Sequence, residues 1–134
     1  MDAIGIIYLI FVHLLSDVVL QGSKMDELKH RRLLYLLIHG GIYTLVLVVA
    51  TQFSLLVGLS PILALKFAVF NGLMHFVVDF FTGGWKETAW CKKSNNNFLI
   101  ITIVDHFVHL AILFVSYDYM LDGKILLGGR LIFG

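Results

Sequence analysis

Residues 61–82 read PILALKFAVFNGLMHFVVDFFT, and the fold turns on this stretch. A helix needs about 20 mostly apolar residues to cross a bilayer core. This segment is long enough, and Pro61 suits its first turn, where a missing N–H costs nothing. Three further apolar segments flank it, at roughly 3–20, 33–59 and 98–121. Their length favours helices over the shorter alternating strands of a membrane barrel. The first segment lacks the basic start and small-residue cleavage site of a signal peptide and carries Asp17, so it reads as a retained helix. The expectation is an all-α, integral membrane four-helix bundle, one domain over residues 1–134.

Composition agrees. The 134 residues are 59% hydrophobic and only 14% charged, against about 25% charged in a soluble domain. Mean hydropathy is +0.90. A soluble globular fold and a disordered chain are both excluded. A formal net charge of +1 provides no pull toward nucleic acid. The single Cys91 excludes a disulfide framework and a cysteine-based zinc finger.

Charge placement gives an orientation. Lys24, Lys29, Arg31 and Arg32 fall in 22–32, and Lys86, Lys92 and Lys93 fall in 83–97. The link at Leu59–Ser60 is short and uncharged, and only Lys124 and Arg130 follow the last segment. By the positive-inside rule, loops 22–32 and 83–97 face the cytoplasm of a bacterial inner membrane and both termini face outward. Lys66 would snorkel to the outer interface or point into the bundle.

The apolar segments also carry titratable groups at a repeated spacing. His13 and Asp17, His75 and Asp79, and Asp105 and His109 are each four residues apart, and His39 lies in the second segment. A spacing of four stacks two side chains on one helical face. His13, His39, His75 and Asp105 all lie six or seven residues from the cytoplasmic end of their segments, about 10 Å deep at 1.5 Å per residue. Four helices of alternating direction thus bring their polar groups to one level. Convergence is energetically required: unpaired carboxylates cost about 2.5–3.5 kcal/mol each at a helix centre. Asp17, Asp79 and Asp105 must be protonated, hydrated, paired with histidine or bound to metal.

Imidazole with carboxylate suits one or two divalent metal ions, zinc first, with iron, manganese or nickel as alternatives. The candidate ligands are His13, Asp17, His39, His75, Asp79, Asp105 and His109, some of which could instead orient the ligands directly bound. Gln21, Met25 and Lys29 continue the first stripe out of the membrane, either as an interfacial anchor or, through Gln21 and Lys29, as substrate contacts. Lys86 reads as a topology determinant or as a headgroup ligand. Gly40 and Gly41 beside His39 suit close helix packing.

The pattern H-x3-D-x3-Q, then M and K at four-residue steps, a histidine, H-x3-D and D-x3-H resembles an uncharacterised family of small bacterial and phage membrane proteins. It falls here on His13, Asp17, Gln21, Met25, Lys29, His39, His75, Asp79, Asp105 and His109. His106 stands where that family has Gln. The pattern is also distantly similar to predicted membrane-bound metal-dependent hydrolases, and this implies a metal-activated water acting on a membrane lipid ester, phosphoester or amide. Asp17 or Asp105 would then serve as general base. No serine or cysteine nucleophile lies on the polar faces. The alternative is a non-enzymatic membrane protein whose cluster is a structural metal clamp or a proton or ion relay. Membrane lipid is the expected partner under both readings, nucleic acid is not, and self-association stays open.

The orientation predicts that a membrane-impermeant maleimide labels Cys91 in inverted vesicles and not in intact cells. Labelling only from the external face would refute the cytoplasmic placement.

Overall fold

The computed structural model describes residues 3–19, 33–53 and 57–131. It is all-α. Helix α1 spans Ala3–Leu14 and runs on as a π-helical turn, Leu15–Val19. Helix α2 spans Leu33–Phe53, α3 Pro61–Cys91 and α4 Asn95–Leu131. The last three are each long and apolar enough to cross a membrane, whereas the apolar stretch Ala3–Asp17 of the first is shorter. Gln21, Met25 and Lys29 lie outside the described residues, as do Leu20 and residues 54–56.

The helices form a square. α3 packs on both α2 and α4, and α1 lies against α2 and α4, diagonal to α3. Burial is inverted relative to a soluble bundle. Phe53 and Phe107 are 85% and 71% exposed, while His13 and His39 are fully buried. Apolar side chains outside and polar ones inside suit a bilayer, where lipid replaces water as the outer solvent. One half of the interior is apolar, built on Leu9, Val12, Tyr43, Leu47, Phe67, Ala68, Leu113 and Tyr117. The histidines and aspartates fill the next layer.

Two connections depart from expectation. The sequence placed a loop at 83–97, but α3 continues to Cys91 and α4 starts at Asn95. At 1.5 Å per residue the 31 residues of α3 reach about 46 Å, well beyond a hydrocarbon core of about 30 Å. Outside that core, charges and glycines do not stop a helix whose backbone bonds and buried stripe continue. The true connection is a Schellman turn. Ser94 N–H donates to the Ala89 carbonyl and Lys93 N–H to the Trp90 carbonyl, both at 3.0 Å. Lys93 takes the left-handed conformation (φ 51°) that glycine more often fills. Helix α4 likewise outruns the expected 98–121. At the other end of α3, Pro61 occupies the first turn as anticipated, after a link in which Gly58 has φ 62°.

The glycine that lets α2 and α3 approach is Gly72. A Cβ there would overlap the Thr44 hydroxyl and lie 2.9 Å from Thr44 Cβ. Thr44 is itself held by a 2.7 Å bond to the Gly40 carbonyl. A Cβ on Gly40 would meet Phe76 at an ordinary 3.5 Å, and one on Gly41 would meet nothing. Close packing therefore rests on Gly72 and not on the Gly40–Gly41 pair that the sequence suggested. Gly72→Ala should cost about 1–3 kcal/mol by overpacking, read as a lower unfolding midpoint in detergent, while Gly41→Ala should leave the midpoint in place.

Candidate metal centre

Each helix delivers its part of the centre by its own periodicity. On α3 the buried positions Asn71, His75, Asp79, Thr82 and Lys86 step by three or four residues down one face. On α2, His39 and Tyr43 stack in the same way. On α4, Asp105 and His109 do so and continue into Leu113. The π-helical turn after α1 presents Asp17. Ser16 there donates to the carbonyls of Val12 and His13, at 2.9 and 3.0 Å. Local widening of this kind recurs at functional sites.

All seven residues His13, Asp17, His39, His75, Asp79, Asp105 and His109 are buried. Asp17, His39, His75 and Asp79 form a compact set of four donors. His39 Nε2 lies 3.0 Å from Asp17 Oδ1, 3.0 Å from His75 Nε2 and 3.4 Å from Asp79 Oδ2. His75 Nε2 lies 3.5 Å from Asp17 Oδ1 and 3.6 Å from Asp79 Oδ2. These are five of the six edges of a tetrahedron. A tetrahedral zinc site with arms of about 2.0–2.1 Å has edges of about 3.3–3.4 Å. The donor set is thus of the right chemistry and size to chelate a divalent metal ion. Tyr43 stacks on the His75 ring with centroids 4.0 Å apart and planes within 5°, fixing its plane.

A second group lies beside the first. Asp79, Asp105 and His109 also come within reach of a common ion. His109 Nε2 is 3.8 Å from Asp79 Oδ1, and its Nδ1 is 3.9 Å from Asp105 Oδ1. Asp105 is already held: Thr82 donates to Oδ1 at 2.6 Å and Lys86 to Oδ2 at 2.7 Å. Lys86 is therefore an internal cation of the bundle, not a side chain standing free in a loop. The buried nitrogens His13 Nε2, His75 Nδ1 and His109 Nδ1 have no hydrogen-bond partner among the described residues. Buried polar atoms in native proteins rarely go unpaired, so this centre has coordinating capacity that its own side chains do not use.

Reading the sequence brought the seven ligating candidates to one level, and the structure brings them together there. It did not assign Lys86 to Asp105, Thr82 to the same carboxylate, or Tyr43 to His75. The signal was present: Thr82 and Lys86 continue the spacing of His75 and Asp79, and Tyr43 continues that of His39. His106 also joins the group, its Nε2 3.5 Å from Asp17 Oδ2.

Removing one member of a buried ion pair costs about 3–5 kcal/mol, because the other charge is left uncompensated. Lys86→Met should destabilise the protein by that order in detergent unfolding. Adding Asp105→Leu to Lys86→Met should restore much of the loss, and a double variant no better than the single one would refute the pairing.

No curated protein and no solved structure matches the chain significantly. A family described as a protein of unknown function, DUF3307, matches residues 6–125. That span includes every member of the centre, and the chain belongs to the DUF3307 family.

Proposed function

We propose that this protein is a membrane-embedded, metal-dependent hydrolase acting on a lipid or another membrane-associated ester, phosphoester or amide. One observation carries the reading: the near-tetrahedral set Asp17, His39, His75 and Asp79 is surrounded by further acids and bases, namely His13, Asp105 and His109. A clamp needs four donors and an apolar cover. A reaction centre needs groups left over to move protons, and this one has them.

Zinc is the ion we assign, because mixed imidazole and carboxylate donors at these separations suit it. Bound zinc would supply a water with a pKa lowered toward about 7. Asp17 belongs to the four-donor set, so Asp105 is the better general base of the two acids. Thr82 and Lys86 fix its carboxylate, and His109 beside it can pass the proton on. The bond from Lys86 to Asp105 supports giving Lys86 this orienting task, leaving headgroup contact to Gln21 and Lys29. We place the protein in a bacterial inner membrane with both termini outside and lipid as its partner.

A second reading has its own support. Four protein donors leave one ion no open position, which is the mark of a structural site. Metal analysis of the detergent-purified protein separates the possibilities. The wild type should carry at least one zinc per chain, and His75→Ala/Asp79→Ala should carry none. Wild-type protein without metal would sink both metal readings. With metal bound, incubation with mixed bacterial lipids should release a hydrolysis product detected by mass spectrometry, and Asp105→Asn should abolish release while keeping its metal. Retained metal without turnover on ester, phosphoester or amide lipids would establish the clamp.

A further inference from the structure

The ligating candidates are all buried, so whatever reacts among them has to be admitted. Among the described residues, Tyr43, Thr82, Lys86 and His106 make polar contacts with them. Tyr43, Thr82 and Lys86 are themselves buried. The His106 side chain is 30% exposed, yet its Nε2 lies 3.5 Å from Asp17 Oδ2. One ring thus reaches from the surface of the bundle to the centre, at the seam where α4 meets the end of α1.

We propose that His106 marks the substrate entrance, that the entrance opens onto the bilayer, and that the molecule admitted is a glycerophospholipid presenting its acyl ester. The inference rests on the hydrolase reading of the centre and names the substrate of that same site.

The surroundings of His106 select a lipid over a water-soluble molecule. Ile103 and Phe107 on α4 are exposed apolar side chains, and so is Leu14 on α1, next to His13. In a membrane such side chains face acyl chains. His106 itself is tethered: its Nδ1 donates to the Thr102 carbonyl at 2.9 Å. The ring therefore keeps its Nε2 edge toward the centre and its flank toward the bilayer.

Depth selects the bond. Thr82 donates to Asp105 at 2.6 Å, so His106, the next residue, lies level with Thr82. From Pro61 to Thr82, α3 rises about 31 Å at 1.5 Å per residue, against a hydrocarbon core of about 30 Å. His106 is thus at the edge of the core, on the side where the α3–α4 hairpin protrudes. Exposed Trp85 lies about one turn further on, followed by exposed Trp90, the side chains that gather at the headgroup level. Lys92 and Lys93 beyond them are exposed and suit a negatively charged headgroup layer. In a glycerophospholipid the acyl esters lie between chain and phosphate, at this boundary, and the phosphate lies further out toward the lysines. Hydrolysis joins the oxygen of water to the acyl carbon, breaks the bond from that carbon to the glycerol oxygen and leaves the proton on the glycerol oxygen. A fatty acid and a lysophospholipid depart.

The test uses the full, zinc-loaded chain in vesicles of phosphatidylethanolamine and phosphatidylglycerol. A bimane label on His106→Cys, in a Cys91→Ser background, should be quenched most by lipid nitroxides near the glycerol end of the chain. Strongest quenching by nitroxides near the chain's methyl end, or by aqueous iodide, would overturn the entrance and leave the hydrolase reading standing. Diacyl phosphatidylglycerol should yield fatty acid and lysophospholipid, whereas its diether analogue, which keeps the phosphate and lacks the acyl esters, should stay intact. Cleavage of the diether would overturn the ester and keep the hydrolase. His106→Trp should lose turnover while holding the wild-type amount of zinc, because the indole fills the opening. Full turnover by that zinc-loaded variant would overturn His106 as the entrance, and the bimane measurement decides the same point should the variant not fold. No product from any lipid with zinc-loaded wild type would remove the hydrolase reading, and the substrate with it.

Discussion

Three carboxylates sit inside a bundle whose outer surface is lipid-facing, and the rest of the structure follows from how they are compensated. Asp105 is neutralised within the protein, by the ammonium of Lys86 and the hydroxyl of Thr82. Asp17 and Asp79 lie among the imidazoles of His39 and His75. The first solution is self-contained. The second is a set of electron-pair donors close enough together to coordinate a divalent metal ion. The centre thus holds one carboxylate paired to a lysine and two set among histidines in a group able to coordinate an ion.

The apolar environment makes this division consequential. In a medium of low dielectric a charge cannot be left to water, so every ionisable group must be committed to a partner. Interhelical polar contacts in membranes return only about 0.6 kcal/mol on average. A group this large is therefore poorly explained as a device for holding helices together. The helices have other means: Gly72 against Thr44, the Tyr8 hydroxyl on the Ala50 carbonyl, and the Tyr117 hydroxyl on Val57.

Much of this was legible in the sequence because helical periodicity and membrane depth are linear in residue number. Counting from segment ends put His13, His39, His75 and Asp105 on one level without coordinates. What could not be counted was reach. Lys86 looked interfacial because lysine usually marks a loop, yet α3 does not end where hydropathy falls, and its long side chain is directed at Asp105. The π-helical turn at Asp17 has no residue signature and shows only in the backbone. Gly40 and Gly41 looked suited to close packing because they follow His39, but what matters is how near another helix comes, and of the three only Gly72 is a place where an added Cβ would overlap a neighbour. Fold class was readable from composition, whereas the assignment of partners within the centre needed the packing.

The tight turn at Lys92–Ser94 has a further consequence. It joins α3 and α4 so closely that Lys86 and Asp105, 19 residues apart, face each other across one helical hairpin. Either charge entering a bilayer on its own helix would meet the full insertion penalty. Joined as a hairpin, the two enter as a neutral pair. α3 and α4 are thereby suited to enter the membrane together, as one unit whose buried charges already cancel.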